Sequence, residues 1–84
     1  MSKHDKLLRR ILGGRSDANI DFRDLRSLLL RLGLQERTRG SHHIFFREGV
    51  EEFLNVQSTT GKAKPYQVRQ TRDYLVRHGL GLDE

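Results

Sequence analysis

Arg39-Gly40-Ser41-His42-His43-Ile44-Phe45-Phe46-Arg47 is the stretch on which the reading of this 84-residue chain turns. A glycine turn feeds two adjacent histidines into an alternating run of bulky apolar residues flanked by arginines, the pattern of a strand over Ser41–Arg47. Side chains alternate across a strand, so Ser41, His43, Phe45 and Arg47 point one way and His42, Ile44 and Phe46 the other. Imidazoles entering a strand beside arginines, in a basic protein, mark a place for acid/base chemistry on a phosphate backbone.

Working outward, Leu34–Thr38 reads as a short strand turning at Arg39-Gly40 into the central one. Arg47-Glu48-Gly49 turns again and leads through Val50-Glu51-Glu52 to Phe53–Gln57, which alternates at period two. Three consecutive antiparallel strands make a meander. Leu54 and Val56 form the better core pair, to be joined by Phe45. The opposite face then carries His42, Ile44, Phe46 and Phe53, which is too apolar to stand in water uncovered, since burying each such apolar side chain is worth about 1.5–3 kcal/mol. Either the N-terminal helix or a protein partner is expected to cover part of it.

Helices flank the meander. Leu7, Leu8, Ile11 and Leu12 share one side of a short helix that Gly13-Gly14 ends, and two to three turns without an aromatic suit a docking helix better than a membrane-surface one. Arg15–Asn19 reads as a linker. Asp21 is a good N-cap for a helix whose stripe is Phe22, Leu25, Leu28, Leu29 and Leu32, with Gly33 as its left-handed stop. Ser58–Lys64 reads as a flexible basic loop or strand edge. Pro65 suits the first turn of a last helix with Val68, Thr71, Tyr74, Leu75 and His78 on one side, ending at Gly79. The expected fold class is α+β, in the order helix, linker, α-β-β-β-α. The expected division is an N-terminal helical extension and linker over 1–20, a main domain over 21–79 and a fraying tail over 80–84.

Sixteen Lys and Arg against eleven Asp and Glu give a net charge of +5, which favours a polyanionic partner such as nucleic acid. The absence of cysteine rules out disulfides and thiolate metal sites, and suits a reducing compartment, the cytoplasm. The first residues lack the apolar run of a secretory signal, and no stretch approaches the roughly 20 apolar residues of a membrane span. Arg39–His43 is similar to an expression tag, but it is internal and stops at two histidines, so it is read as native.

Each singled-out group also has a plainer role. His43, on the helix-facing side, reads as a packing or hydrogen-bonding residue that fixes the strand. A metal site from His42 and His43 is not expected, because adjacent strand residues diverge and no third ligand is suitably spaced. Ser41 has no Asp-supported partner and reads as a turn residue rather than a nucleophile. The helix arginines read as solvated charge. Gly61-Lys62-Ala63-Lys64 lacks the glycines and length of a phosphate loop and offers at most a backbone contact.

The block Arg39-Gly40-Ser41-His42-His43, followed by an aromatic at Phe45 and lying between a helix–strand entry and a late helix, resembles the HicA toxins, small ribonucleases of toxin–antitoxin pairs. The resemblance covers about Phe22–Gly79. It implies a double-stranded-RNA-binding-domain-like α-β-β-β-α fold with a three-stranded antiparallel sheet, to which this chain adds an N-terminal helix. It further implies cleavage of messenger RNA without a required metal or cofactor, and a HicB-like antitoxin as protein partner. The family's catalytic histidine directly follows Gly-Ser, which matches His42, with Gly40, Ser41 and His43 as its supporting turn and strand. The chain departs from the family in the extension over 1–20, in the longer link Gly49–Glu52 and in Ser58–Pro65.

RNA carries its own nucleophile, so an enzyme need only take the 2′-hydroxyl proton, hold the scissile phosphate in line and stabilise its added charge. His42 is the expected base or acid, and Arg39, Arg47, Lys62 and Lys64 are the expected RNA contacts. The alternative is a non-catalytic module of the same fold that binds RNA, or a protein-interaction subunit selected for its apolar sheet face.

Overall fold

The computed structural model describes residues 2–57 and 60–81. Helix α1 spans Lys3–Gly13 and is opened by a capping box between Ser2 and Asp5. It is closed by Gly14 in the left-handed region at φ 70°. Strand β1, Ile20–Asp21, runs directly into helix α2, Phe22–Arg31, whose first turn is capped by the Asp21 carboxylate accepting from the Arg23 N–H at 2.8 Å. Helix α2 ends through Gly33 at φ 97°, with the Leu34 N–H returning to the Leu29 carbonyl. Strands β2 (Gln35–Arg39), β3 (His42–Phe46) and β4 (Leu54–Gln57) follow, then β5 (Lys62–Ala63) and helix α3 (Pro65–Arg77) with Pro65 in its first turn.

The result is an α+β architecture of three helices and a three-stranded antiparallel sheet in the order β2-β3-β4, compatible with an α-β-β-β-α arrangement. Gly40 and Ser41 alone connect β2 to β3, and Gly40 takes the positive φ of 57° that so tight a hairpin requires. Phe45 stands opposite Leu54 and Glu36, and His43 opposite Val56 and Thr38. Directly opposed residues share a face, so the expected core pair Leu54 and Val56 does join Phe45. All three are buried against Leu25, Leu28, Leu29, Val68, Tyr74 and Leu75 of the helical layer. No described helix is long and apolar enough to cross a membrane.

The structure sharpens or corrects four expectations. First, the expected docking helix has its seat on α2 and α3, and Leu8 and Ile11 of α1 belong to the same core as the sheet and the other helices. Arg72 of α3 fastens it, donating to the Ile11 carbonyl at the end of α1 (3.1 Å) and pairing with Asp17 (3.0 Å), with Arg10 gripping the carbonyls of Ser16 and Ala18. The supposed linker is thereby pinned. Second, α1 does not cover the outer sheet face, because its apolar side is spent on the helical layer. Third, of the two readings of Ser58–Lys64, flexible loop or strand edge, Lys62–Ala63 follows the second, pairing in the register Asp21↔Lys62 and Ile20↔Ala63; Ser58 and Thr59 lie outside the described residues. Fourth, Leu80 does not fray: its N–H bonds to the Leu75 carbonyl at 2.9 Å and its side chain is buried, whereas 82–84 of the expected tail lie outside the described residues.

Candidate nucleic-acid interface

Strand pairing assembles the site on the face of the sheet turned away from the helices. Arg39, His42 and Gln57 lie side by side in one row, Arg37, Ile44 and Asn55 in the next, and Gln35 and Phe46 in the third, with Phe53 beside them. His42 is exposed. Its ring nitrogens lie 3.3 Å from the Asn55 side-chain oxygen (Nδ1) and 3.3 Å from the Gln57 amide nitrogen (Nε2). Both amides come from the neighbouring strand β4 and orient the ring, which stays exposed to a ligand; imidazole is the side chain best suited to take or give a proton. Arg39, exposed in the same row, stands where it can meet a phosphate beside that ring.

His43 is differently placed. Its Nδ1 is 2.7 Å from the Glu36 carboxylate and its ring packs on Phe22 at 4.6 Å between centroids. Arg26 of α2 clasps the same carboxylate, with Nε at 2.8 Å and Nη2 at 2.8 Å. The hydrogen bond from Arg26, followed by that from His43, holds the Glu36 carboxyl below the usual carboxylate range, and the same pairing raises Arg26. His43 therefore ties α2 to the sheet, the packing and hydrogen-bonding role its strand parity suggests.

The other expected RNA contacts are dispersed. Arg47 follows β3 at the end opposite His42 and on the helix-facing side, close enough to the Tyr74 hydroxyl to act on its ionisation. Lys62 and Lys64 are exposed on β5 and at the start of α3; the chain leaves β4 at Gln57, beside His42, before reaching them. Gly40 and Ser41 form the hairpin connection that delivers His42 to the first position of β3. Among the described residues no three His, Cys, Asp or Glu side chains gather as a metal ion would need.

Three features went unassigned in the sequence. Asn55 and Gln57 flank His42 through cross-strand register, which alternation alone does not supply. The Arg37 guanidinium lies 5.6 Å from the centre of the Phe46 ring. Behind the sheet, Glu52 joins the β3–β4 connection to α3: its carboxylate meets His78 at 2.8 Å and Arg77, and its carbonyl accepts from the Tyr74 hydroxyl at 3.1 Å. The His78 bond, ahead of Arg77, lowers the Glu52 carboxyl, while burial raises the Tyr74 hydroxyl. This cluster braces the loop that presents Phe53.

No protein-family model, curated protein or solved structure matches the chain.

Proposed function

We propose that the chain is a HicA-like toxin: a metal-independent endoribonuclease that cleaves messenger RNA with His42 as its one catalytic imidazole, held in check by a HicB-like antitoxin. The observation that carries this reading is the division of the two histidines. His43 is committed to Glu36 and Phe22, whereas His42 stands exposed between Asn55 and Gln57 with Arg39 in its own row. His42 takes the 2′-hydroxyl proton as that oxygen attacks the adjacent phosphorus, or returns a proton to the departing 5′-oxygen; the P–O5′ bond breaks and a 2′,3′-cyclic phosphate results. Arg39 neutralises charge gathering on the phosphoryl oxygens. With a single acid/base group the enzyme is slow, since such help is worth about 10²–10⁴-fold. An antitoxin seated over His42, Ile44 and Phe46 removes access to both the imidazole and the apolar surface.

The test is cleavage of a labelled RNA in the presence of chelator. His42→Ala is expected to bind the RNA and fail to cut it; undiminished cutting by that variant rejects the assignment. Binding that does not weaken as salt rises rejects RNA as the ligand altogether.

A further inference from the structure

The outer sheet face is graded along its length. At the β2–β3 hairpin end it carries Arg39, His42 and Gln57; at the other end it opens into a groove of about 280 Å³ lined by Arg37, Ile44, Phe46, Glu51 and Phe53. Phe53 is 56% exposed, the most exposed large apolar side chain among the described residues. Along β3 the two ends, His42 and Phe46, are about 13 Å apart at the rise of an extended strand.

We propose that this face is a track for single-stranded RNA, on which unpaired bases stack against Phe53 and Phe46 while the sugar–phosphate backbone runs past Arg37 and Arg39 to His42. The inference rests on the RNA reading above and adds where, and in what form, the RNA lies. Charge complementarity selects this occupant. The strand residues of the face are cationic, amide-bearing or apolar; Glu51, the only carboxylate among the described residues that line the groove, sits at the aromatic end, where bases rather than phosphates lie. Arg37, lying over Phe46, extends the aromatic surface with a guanidinium plane that also accepts a stacked base. Asn55 and Gln57 offer donors and acceptors to base edges along the way. A duplex cannot use this surface, because its bases are already stacked on one another. Stacking tolerates every base, so the track supplies affinity with little sequence preference. The distance between its ends sets the scissile phosphate a few nucleotides from the anchored bases.

The test uses a short fluorescent single strand with 2′-O-methyl sugars, which cannot be cut, and follows its binding by anisotropy to the intact protein. Phe53→Ala is expected to weaken binding by about 5- to 150-fold. Removing bases from the strand should weaken binding to the unaltered protein by a similar factor, and the two changes together should lose no more than either alone. Phe53→Trp should restore binding. A duplex should bind no more weakly to Phe53→Ala than to the parent protein. The proposal is overturned if Phe53→Ala and the abasic strand each bind as before. It is equally overturned if Phe53→Ala spares RNA binding and abolishes capture of a protein partner instead. The readout needs no cleavage, so coupled losses in a protein that never cuts RNA would reject the catalytic reading and leave the track standing. Cutting without those losses would do the reverse.

Discussion

One pleated sheet presents two faces made from the same three strands, and consecutive residues of β3 are assigned opposite work by nothing more than alternation. Inward, Phe45 is wholly buried and His43 is locked to Glu36 and Phe22; outward, His42 and Phe53 meet solvent. The inner face is tightly held: His43 meets a carboxylate and a ring, and Phe45, Leu54 and Val56 lie in the core. The outer face holds only loosely to itself. Loosely held side chains contribute little to folding, which leaves them available for binding and chemistry.

Truncating one residue on each face puts the contrast under the greatest stress. His42→Ala should lower RNA cleavage by about 10²–10⁴-fold with no change in melting temperature, read from product formation and circular dichroism on the same sample. Phe45→Ala should cost about 3–5 kcal/mol, which approaches the whole stability of a domain this small, and should show as a protein largely unfolded in mild urea.

A smaller effect separates the two faces by pH. Glu36→Gln removes the carboxylate that joins Arg26 to His43 and should cost about 1–3 kcal/mol at neutral pH. Because the folded protein holds this carboxyl below the range it has in the unfolded chain, the unfolded state binds its proton first as pH falls. The stabilisation is therefore complete above the ordinary carboxylate range and disappears as pH drops through the lowered value. Urea melts of the two proteins should differ at neutral pH and converge as pH falls below the lowered carboxyl range. A difference that persists undiminished in acid would show that the ion pair is not its source. Smallest of all, Phe53→Ala should shift stability by no more than about 0.5 kcal/mol, whatever it does to RNA binding.

Much of this arrangement is legible in the order of residues alone. Asp21, Gly33, Pro65 and Gly79 mark helix ends because capping is local chemistry, and the parity of Phe45, Leu54 and Val56 sets the register because only one choice buries all three. The β1–β5 pair is not legible. Strands of two residues have no period to read, and Ile20 and Ala63 find each other only after the helices have brought distant segments together. The place of α1 is hidden for a related reason: an apolar helical stripe announces that it will be buried but not beneath what. At the site, His42 separates from His43 by alternation. Its flanking amides, and the separation of Arg47 from it, depend on the pairing of strands.

Arg72 donates to the carbonyl of Ile11 across 61 positions of sequence, so this contact can form only after most of the chain has been made. At roughly 5–20 residues per second, about 3–12 s separate synthesis of the two partners. Throughout that interval the first helix can lean only on α2, and the sheet lacks the part of its cover that α3 supplies. The sheet is therefore completed last: a nascent chain that already contains His42 still lacks the helix that packs behind β4.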